Sequence, residues 1–169
     1  VLNETLLRGV LVGAPLTDIK ITLLSGRSHP KHTEGGDFRE ATLRALRQGL
    51  MSTRSVLLEP FYAYRLSVPS ASAGRAIHDL QMRHAEFVQE TDDNGFAVFT
   101  GRAPVAKLSG YAKEVAAYSG GNGSFSCVYD GDGECENTDD VITEYGYKPE
   151  ADIQLPPHSV FCAHGAGFV

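Results

Sequence analysis

Between residues 61 and 68 the chain alternates apolar and polar positions, with Tyr62, Tyr64, Leu66 and Val68 on one side. A period of two is that of a half-buried strand. The period then lengthens: Pro69-Ser70 opens a predicted helix whose inward stripe is Ala73, Ala76, Ile77 and Leu80. Residues 85–91 and 96–102 return to strand patterning, and Asp92-Asp93-Asn94-Gly95 between them is turn chemistry that tolerates positive φ. Pro104 can start a second helix carrying Val105, Leu108, Ala112, Val115 and Ala116 inward, and Gly120 can end it. Phe125, Cys127 and Tyr129 alternate with Ser124, Ser126 and Val128 as a last strand.

The order βαββαβ predicts a ferredoxin-like sandwich, one four-stranded antiparallel sheet with both helices on one face. Upstream the pattern is weaker. Residues 2–10 read as the end of a helix broken at Gly13-Ala14-Pro15. Ile19, Ile21 and Leu23 alternate with Asp18, Lys20 and Thr22 as a strand. Residues 25–36 are polar and rich in turn formers, so an exposed loop is expected. Asp37 with Glu40 suggests a capping box for a helix turning Phe38, Ala41, Ala45, Leu46, Gly49 and Leu50 inward. Arg39, Arg44 and Arg47 would face water. Residues 52–55 form a linker. After the last strand, a short helix begins at Asn137 or Thr138, with Asp139 and Asp140 near its positive end, and closes at Gly146. Residues 155–157 read as extended, and 160–168 are apolar enough to pack on the sheet or on a further helix.

Composition narrows the classes. The 169 residues are 42% apolar, enough for one domain or two small ones. No apolar run approaches the ~20 residues that span a bilayer, and Asn3, Glu4 and Arg8 do not suit a signal peptide. Three cysteines do not suggest a disulfide framework, so a cytoplasmic location is expected. The start at Val1 predicts a piece of a longer protein.

The net charge of −6 argues against nucleic-acid binding until it is mapped along the chain. Residues 1–60 carry eight Lys/Arg against six Asp/Glu, 61–128 six against six, and 129–169 one against nine. The acid lies in the tail, and an RNA-facing surface belongs to the first zone. There Arg27 and Lys31 supply charge for phosphates, Pro30 a rigid face, and His29 and His32 rings that stack or donate hydrogen bonds.

Catalytic motifs are missing. There is no G-x-x-x-x-G-K-[ST] to cradle phosphates. Gly120-Gly121-Asn122-Gly123 leads into a strand and reads as a turn. His164-Gly165-Ala166-Gly167 has no G-x-S-x-G partner. Asp130-Gly131-Asp132-Gly133-Glu134 starts like a calcium loop, but Cys135 and Val141 occupy the positions that need Gly and Glu. Cys127, Cys135, Cys162 and His164 have the donor types of a zinc site, but their spacing is irregular and packed free thiols are the default reading. No catalytic residue is assigned.

Four landmarks together resemble the last two domains of elongation factor G and its relatives. They are Gly9-Val10-Leu11-Val12-Gly13-Ala14-Pro15 running into Asp18-Ile19-Lys20, Leu57-Leu58-Glu59-Pro60, Gly110-Tyr111-Ala112, and Gly121-Asn122-Gly123-Ser124-Phe125. Their order is similar to the family's across residues 5–128. The resemblance implies that residues 1–54 are the second half of a domain IV-like unit, a partial ribosomal-protein-S5-domain-2-like β/α unit. It makes 58–128 the C-terminal, domain V-like ferredoxin-like domain, and leaves 129–169 as an acidic C-terminal extension of this α+β chain. Asp37-Phe38-Arg39 and the tail resemble the ribosomal-protection tetracycline-resistance branch, while His29-Pro30-Lys31-His32 departs from that branch and His29 matches the elongation-factor pattern.

By the same resemblance the chain is a ribosome-binding part of a bacterial translational GTPase. Arg27, Ser28, His29, Pro30, Lys31, His32 and Thr33 would meet ribosomal RNA at the decoding site. GTP and Mg would be held by upstream GTPase domains of the same parent, with no cofactor and no enzymatic activity in these residues. The alternatives are an enzyme with an unrecognised site, or a stand-alone ferredoxin-like regulatory or protein-interaction module.

Overall fold

The computed structural model describes residues 2, 6–31, 33–91, 94–158, 161–163 and 166–168. They form two compact units, one of residues 58–135 and the other of 1–57 with 136–169.

The 58–135 unit contains β1 (Leu58–Pro69), a 3-10 turn at Ser70–Ser72, α2 (Ala73–Met82), β2 (Glu86–Thr91), β3 (Phe96–Pro104), α3 (Val105–Leu108), α4 (Tyr111–Tyr118) and β4 (Ser124–Glu134). The label α1 belongs to the helix Gly35–Ser52 of the other unit. The strands lie in the order β2-β3-β1-β4, each neighbouring pair antiparallel. This is the ferredoxin-like arrangement that the alternating pattern predicts. Leu66 sits between Phe99 and Phe125, and Tyr64 between Gly101 and Cys127. Their face joins Val68, Ala76, Leu80, Tyr111 and Val115 in one core. Full burial of side chains such as Leu66, Leu80 and Phe99 stabilises the unit by roughly 1.5–3 kcal/mol each.

Two details differ from expectation. Pro104 ends β3 and flanks only the one-turn α3, and Gly110 at φ 77° starts a separate α4. That break resets the helical phase, so Leu108, Tyr111 and Val115 are buried while Ala112 and Ala116 are exposed. The last strand also runs beyond Tyr129 to Glu134, taking residues that the reading of an extension from 129 left outside the sheet. Arg102 holds that continuation: its Nε donates to Asp130 at 3.0 Å, and its Nη2 to the Asp130 and Asp132 carbonyls.

In the other unit the predicted helix over 2–10 is replaced, where described, by a tight hairpin. Arg8 bridges Pro15, the Gly9 amide donates to the Ala14 carbonyl at 2.8 Å, and the Leu16 amide to the Leu7 carbonyl at 2.9 Å. The predicted strand at 18–24 is not formed. Ile19 and Ile21 are 42% and 41% exposed, Leu23 and Leu24 87% and 90%. An alternating pattern supplies a strand with side chains but not with hydrogen-bond partners, and none of the described segments pairs with it.

The helix α1 has Glu34 at its N-cap. Asp37 is its third residue, accepting from the Glu34 amide at 2.9 Å, so the cap lies three residues before the predicted one. Glu40 instead pairs with Arg44. The inward face is also rotated: Phe38 is half exposed, whereas Asp37, Arg47 and Leu50 are buried. Leu43, Leu46, Arg47 and Leu50 have the i, i+3, i+4, i+7 spacing of a helix face, concealed in the sequence because one member is arginine.

The tail returns to this unit. Asn137 precedes α5 (Thr138–Tyr145), and Gly146 closes it at φ 58°, as the sequence predicts. A 3-10 turn at Pro149–Ala151 follows, and β5 (Phe161–Ala163) pairs antiparallel with β6 (Ala166–Phe168). These two strands lie beside α1.

Burial pushes the Tyr64 hydroxyl from 10.0 up to about 12, and this hydroxyl donates to the Glu86 carbonyl at 3.0 Å. Because its folded-state value is raised, its contribution is full below about pH 10 and is lost as pH rises towards about 12. Urea unfolding across that range should show stability falling more steeply for the wild type than for Tyr64→Phe. Parallel profiles would remove this hydroxyl as the cause.

Candidate functional site

The exposed loop runs from the hairpin at Leu16 to the N-cap of α1 at Glu34. Every described residue from 17 to 31 is exposed, as its polar and turn-forming composition predicts.

Its tip is ordered by local bonds. The His29 amide donates to Thr33 Oγ1 at 2.6 Å, the Thr33 amide to the His29 carbonyl at 3.2 Å, and the Lys31 amide to His29 Nδ1 at 3.3 Å. Pro30 suits the turn because its φ is preset and it has no amide proton to satisfy. The turn thus spends the His29 and Thr33 polar groups on shape and leaves Pro30 and Lys31 exposed at the tip. Arg27 and Ser28 are exposed immediately before it. His32 lies outside the described residues.

The arginines of α1 divide differently from expectation. Arg39 is exposed. Arg44 is half-buried, bonded to Glu40 and to the His158 carbonyl at 2.9 Å. Arg47 is 2% exposed, so it belongs to no solvated face. Its Nη1 donates to the Arg8 carbonyl at 3.0 Å and its Nη2 to the Tyr147 hydroxyl, with Asp152 Oδ2 3.8 Å away. Sequence reasoning missed Arg47, Tyr147 and Asp152 as the base of the loop. The stripe at 43, 46, 47 and 50 was the available signal.

The other motifs resolve into structure. Gly120 and Gly121 take φ 63° and 81°. The Gly121 amide donates to the Ala116 carbonyl, and the Gly123 amide to Ser119 Oγ at 2.8 Å. The turn's own acceptors use these amides, leaving no phosphate cradle there. Asp130 and Asp132 lie in β4, not in a calcium loop.

Of the four residues with zinc-donor types, Cys127 and Cys135 are not gathered. Cys127 pairs with Tyr64, whereas Cys135 follows Glu134, the partner of Leu58. Seven steps of strand from Cys127 to Glu134, at ~3.3 Å each, separate the two thiols too far for one ion with sulfur ligands at ~2.3 Å. The side chains of Cys162 and His164 lie outside the described residues. Among the described residues, no group of three or more His, Cys, Asp or Glu is placed to hold a metal ion.

Two family models match the chain: Elongation factor G, domain IV, over residues 2–54, and Elongation factor G C-terminus over residues 56–140. Among solved structures, that of ttk003000868 from Thermus thermophilus is similar in fold, with 23% sequence identity and a TM-score of 0.52. The alignment covers 57% of this chain and 15% of that one, so this chain spans a small part of that relative's length.

Thr33→Val keeps the side-chain shape and removes the acceptor for the His29 amide. Losing one such bond costs roughly 1 kcal/mol, and the His29 amide should exchange about five-fold faster, with Thr33→Ser close to wild type. Equal exchange in Thr33→Val would show that this bond does not order the tip.

Proposed function

The chain belongs to the elongation factor G family, through both its domain IV and its C-terminal part, and on that basis we propose that it is the ribosome-binding portion of a translational GTPase whose 17–34 loop enters the decoding region. The observation that carries this reading is the loop itself: Arg27 and Lys31 are exposed on a segment whose tip is shaped by its own hydrogen bonds. Such a segment suits recognition of folded RNA, where phosphate charge supplies affinity and a rigid contour supplies fit.

The action is mechanical: the chain positions the loop, and no bond is made or broken here. GTP and its Mg would be held by a GTPase domain elsewhere in the parent. The apolar alternation at Ile19, Ile21 and Leu23, exposed and in no strand, supports this arrangement, because such a segment suits pairing with further polypeptide. Among the described residues no helix is long and apolar enough to cross a membrane, and the proposed site of action is the cytoplasm.

Within the family, ribosomal protection against tetracycline is the finer reading, favoured by Asp37-Phe38-Arg39 and by a tail that docks on the loop-bearing unit. Asp37 also has a purely structural use as the acceptor at the helix start, so the loop must decide the branch by function. Release of labelled tetracycline from ribosomes by the intact parent with GTP, lost when residues 29–32 are replaced by glycine and serine, would support protection. GTP hydrolysis on ribosomes without release would reject it in favour of an elongation-factor role.

Charge at the loop makes a separate prediction. If Arg27 and Lys31 each neutralise one RNA phosphate, Arg27→Ala with Lys31→Ala should flatten the log–log salt dependence of ribosome binding by about 1.4–1.8. Sedimentation binding at several salt concentrations measures the slope, and an unchanged slope would place the phosphate contacts elsewhere.

A further inference from the structure

The loop has two stems, the Leu7–Leu16 hairpin and α1, and one side chain ties them together. Arg47 projects from α1 and donates to the carbonyls of Arg8 and Gly9 in the hairpin, at 3.0 and 3.4 Å. The tail meets Nη2, while Nε is buried without a partner. The Tyr147 hydroxyl accepts from Nη2 and donates to Asp152 Oδ2 at 2.6 Å, and Asp152 is the carboxylate paired with the guanidinium. Asp152 Oδ1 accepts the Gln154 and Leu155 amides at 2.9 and 3.1 Å, which turns Leu155 into the small cavity it shares with Leu7, Leu43 and Leu46. The Tyr147 ring lies over Gly13, where an added Cβ would come within 3.1 Å of it.

We propose that the tail segment around Tyr147, Asp152 and Leu155 is a releasable staple, whose docking on Arg47 closes the base of the 17–34 loop and thereby tunes its grip on RNA. This rests on the RNA-facing reading of the loop. The physical reason is a coupled demand. A guanidinium at 2% exposure is tolerated only while acceptors and a counter-charge surround it. The tail supplies the carboxylate, and the Tyr147 hydrogen bond holds the Asp152 carboxyl below the usual carboxylate range. When the tail leaves, Arg47 must turn towards water, and its hold on the Arg8 and Gly9 carbonyls goes with it. The loop then closes at its full entropic cost. Coupling is reciprocal: a polyanion that orders the loop also favours the docked tail.

The test uses the full 169-residue chain as wild type, Tyr147→Phe and Asp152→Asn. Hydrogen exchange is read at the Gly9 and Leu16 amides, which close the hairpin, with Leu66 and Phe99 in the four-stranded sheet as controls. Tyr147→Phe keeps the ring over Gly13 and removes only the hydroxyl, so it stays informative if Asp152→Asn unfolds. Exchange at Gly9 and Leu16 about ten-fold faster, with the controls unchanged and ribosome affinity about five-fold weaker, is the expected result. Unchanged exchange at Gly9 and Leu16 overturns the staple. Faster exchange with wild-type ribosome affinity overturns the tuning and leaves the RNA reading intact. A wild-type chain that does not bind ribosomes refutes the RNA reading itself, and the tuning with it.

Discussion

A guanidinium taken out of water needs acceptors around it, and in the unit of residues 1–57 and 136–169 this demand organises three segments around Arg47. It turns the Arg8 and Gly9 carbonyls inward, which shapes the hairpin. It sets the rotation of α1, because the face carrying Arg47, Leu43, Leu46 and Leu50 must look inward while Phe38 stays half exposed. It also recruits the tail through Tyr147 and Asp152. A leucine at position 47 would satisfy the apolar stripe and leave those two carbonyls without their donor, at a cost of roughly 1–3 kcal/mol for each that stays buried. Apolar burial alone therefore does not specify this unit; one buried charge and its partners do.

The 58–135 unit follows the opposite logic, which is why its outline was legible in the sequence. Its core comes from two periods, two in the strands and 3.6 in the helices, and Tyr64, Leu66, Val68, Ala76 and Leu80 are buried where those periods place them. The errors there were errors of phase. Gly110 resets the second helix, moving the inward positions from Ala112 and Ala116 to Tyr111 and Val115. The Asp130 to Glu134 stretch was left outside the last strand, and Arg102, 28 positions from Asp130 in the chain, bonds to it there.

For the candidate site, the sequence disclosed location but not construction. Exposure of residues 17–31 follows from turn formers and polar residues, and the cations there are visible by composition. The bonds that shape the tip, from His29 to Thr33 and from Lys31 to His29, require a particular backbone path that no period encodes. The base of the loop was hidden more deeply. An arginine on a helix is ordinarily solvated, and the partners of Arg47 lie 39 and 100 positions away. The segment at 18–24 shows the converse limit. Its alternation is sound strand chemistry, but pairing belongs to two segments at once, and one segment's sequence describes only its own half.

These two forms of order bear on how a chain of net charge −6 can face RNA. What a phosphate meets is the charge within about 8–10 Å, the screening distance at ordinary ionic strength. Several of the acidic groups are already committed to the protein's own cations: Asp152 to Arg47 and Asp130 to Arg102. Around the loop tip, by contrast, Arg27 and Lys31 are exposed, and Asp37 in the first turn of the following helix is turned inward and buried. The docked tail thus does two electrostatic jobs with one carboxylate. It neutralises a cation that would destabilise the unit if left alone, and that cation cancels its own negative charge in turn. Net charge is therefore a poor guide to this chain's partner, and the distribution of paired and unpaired charge is the better one.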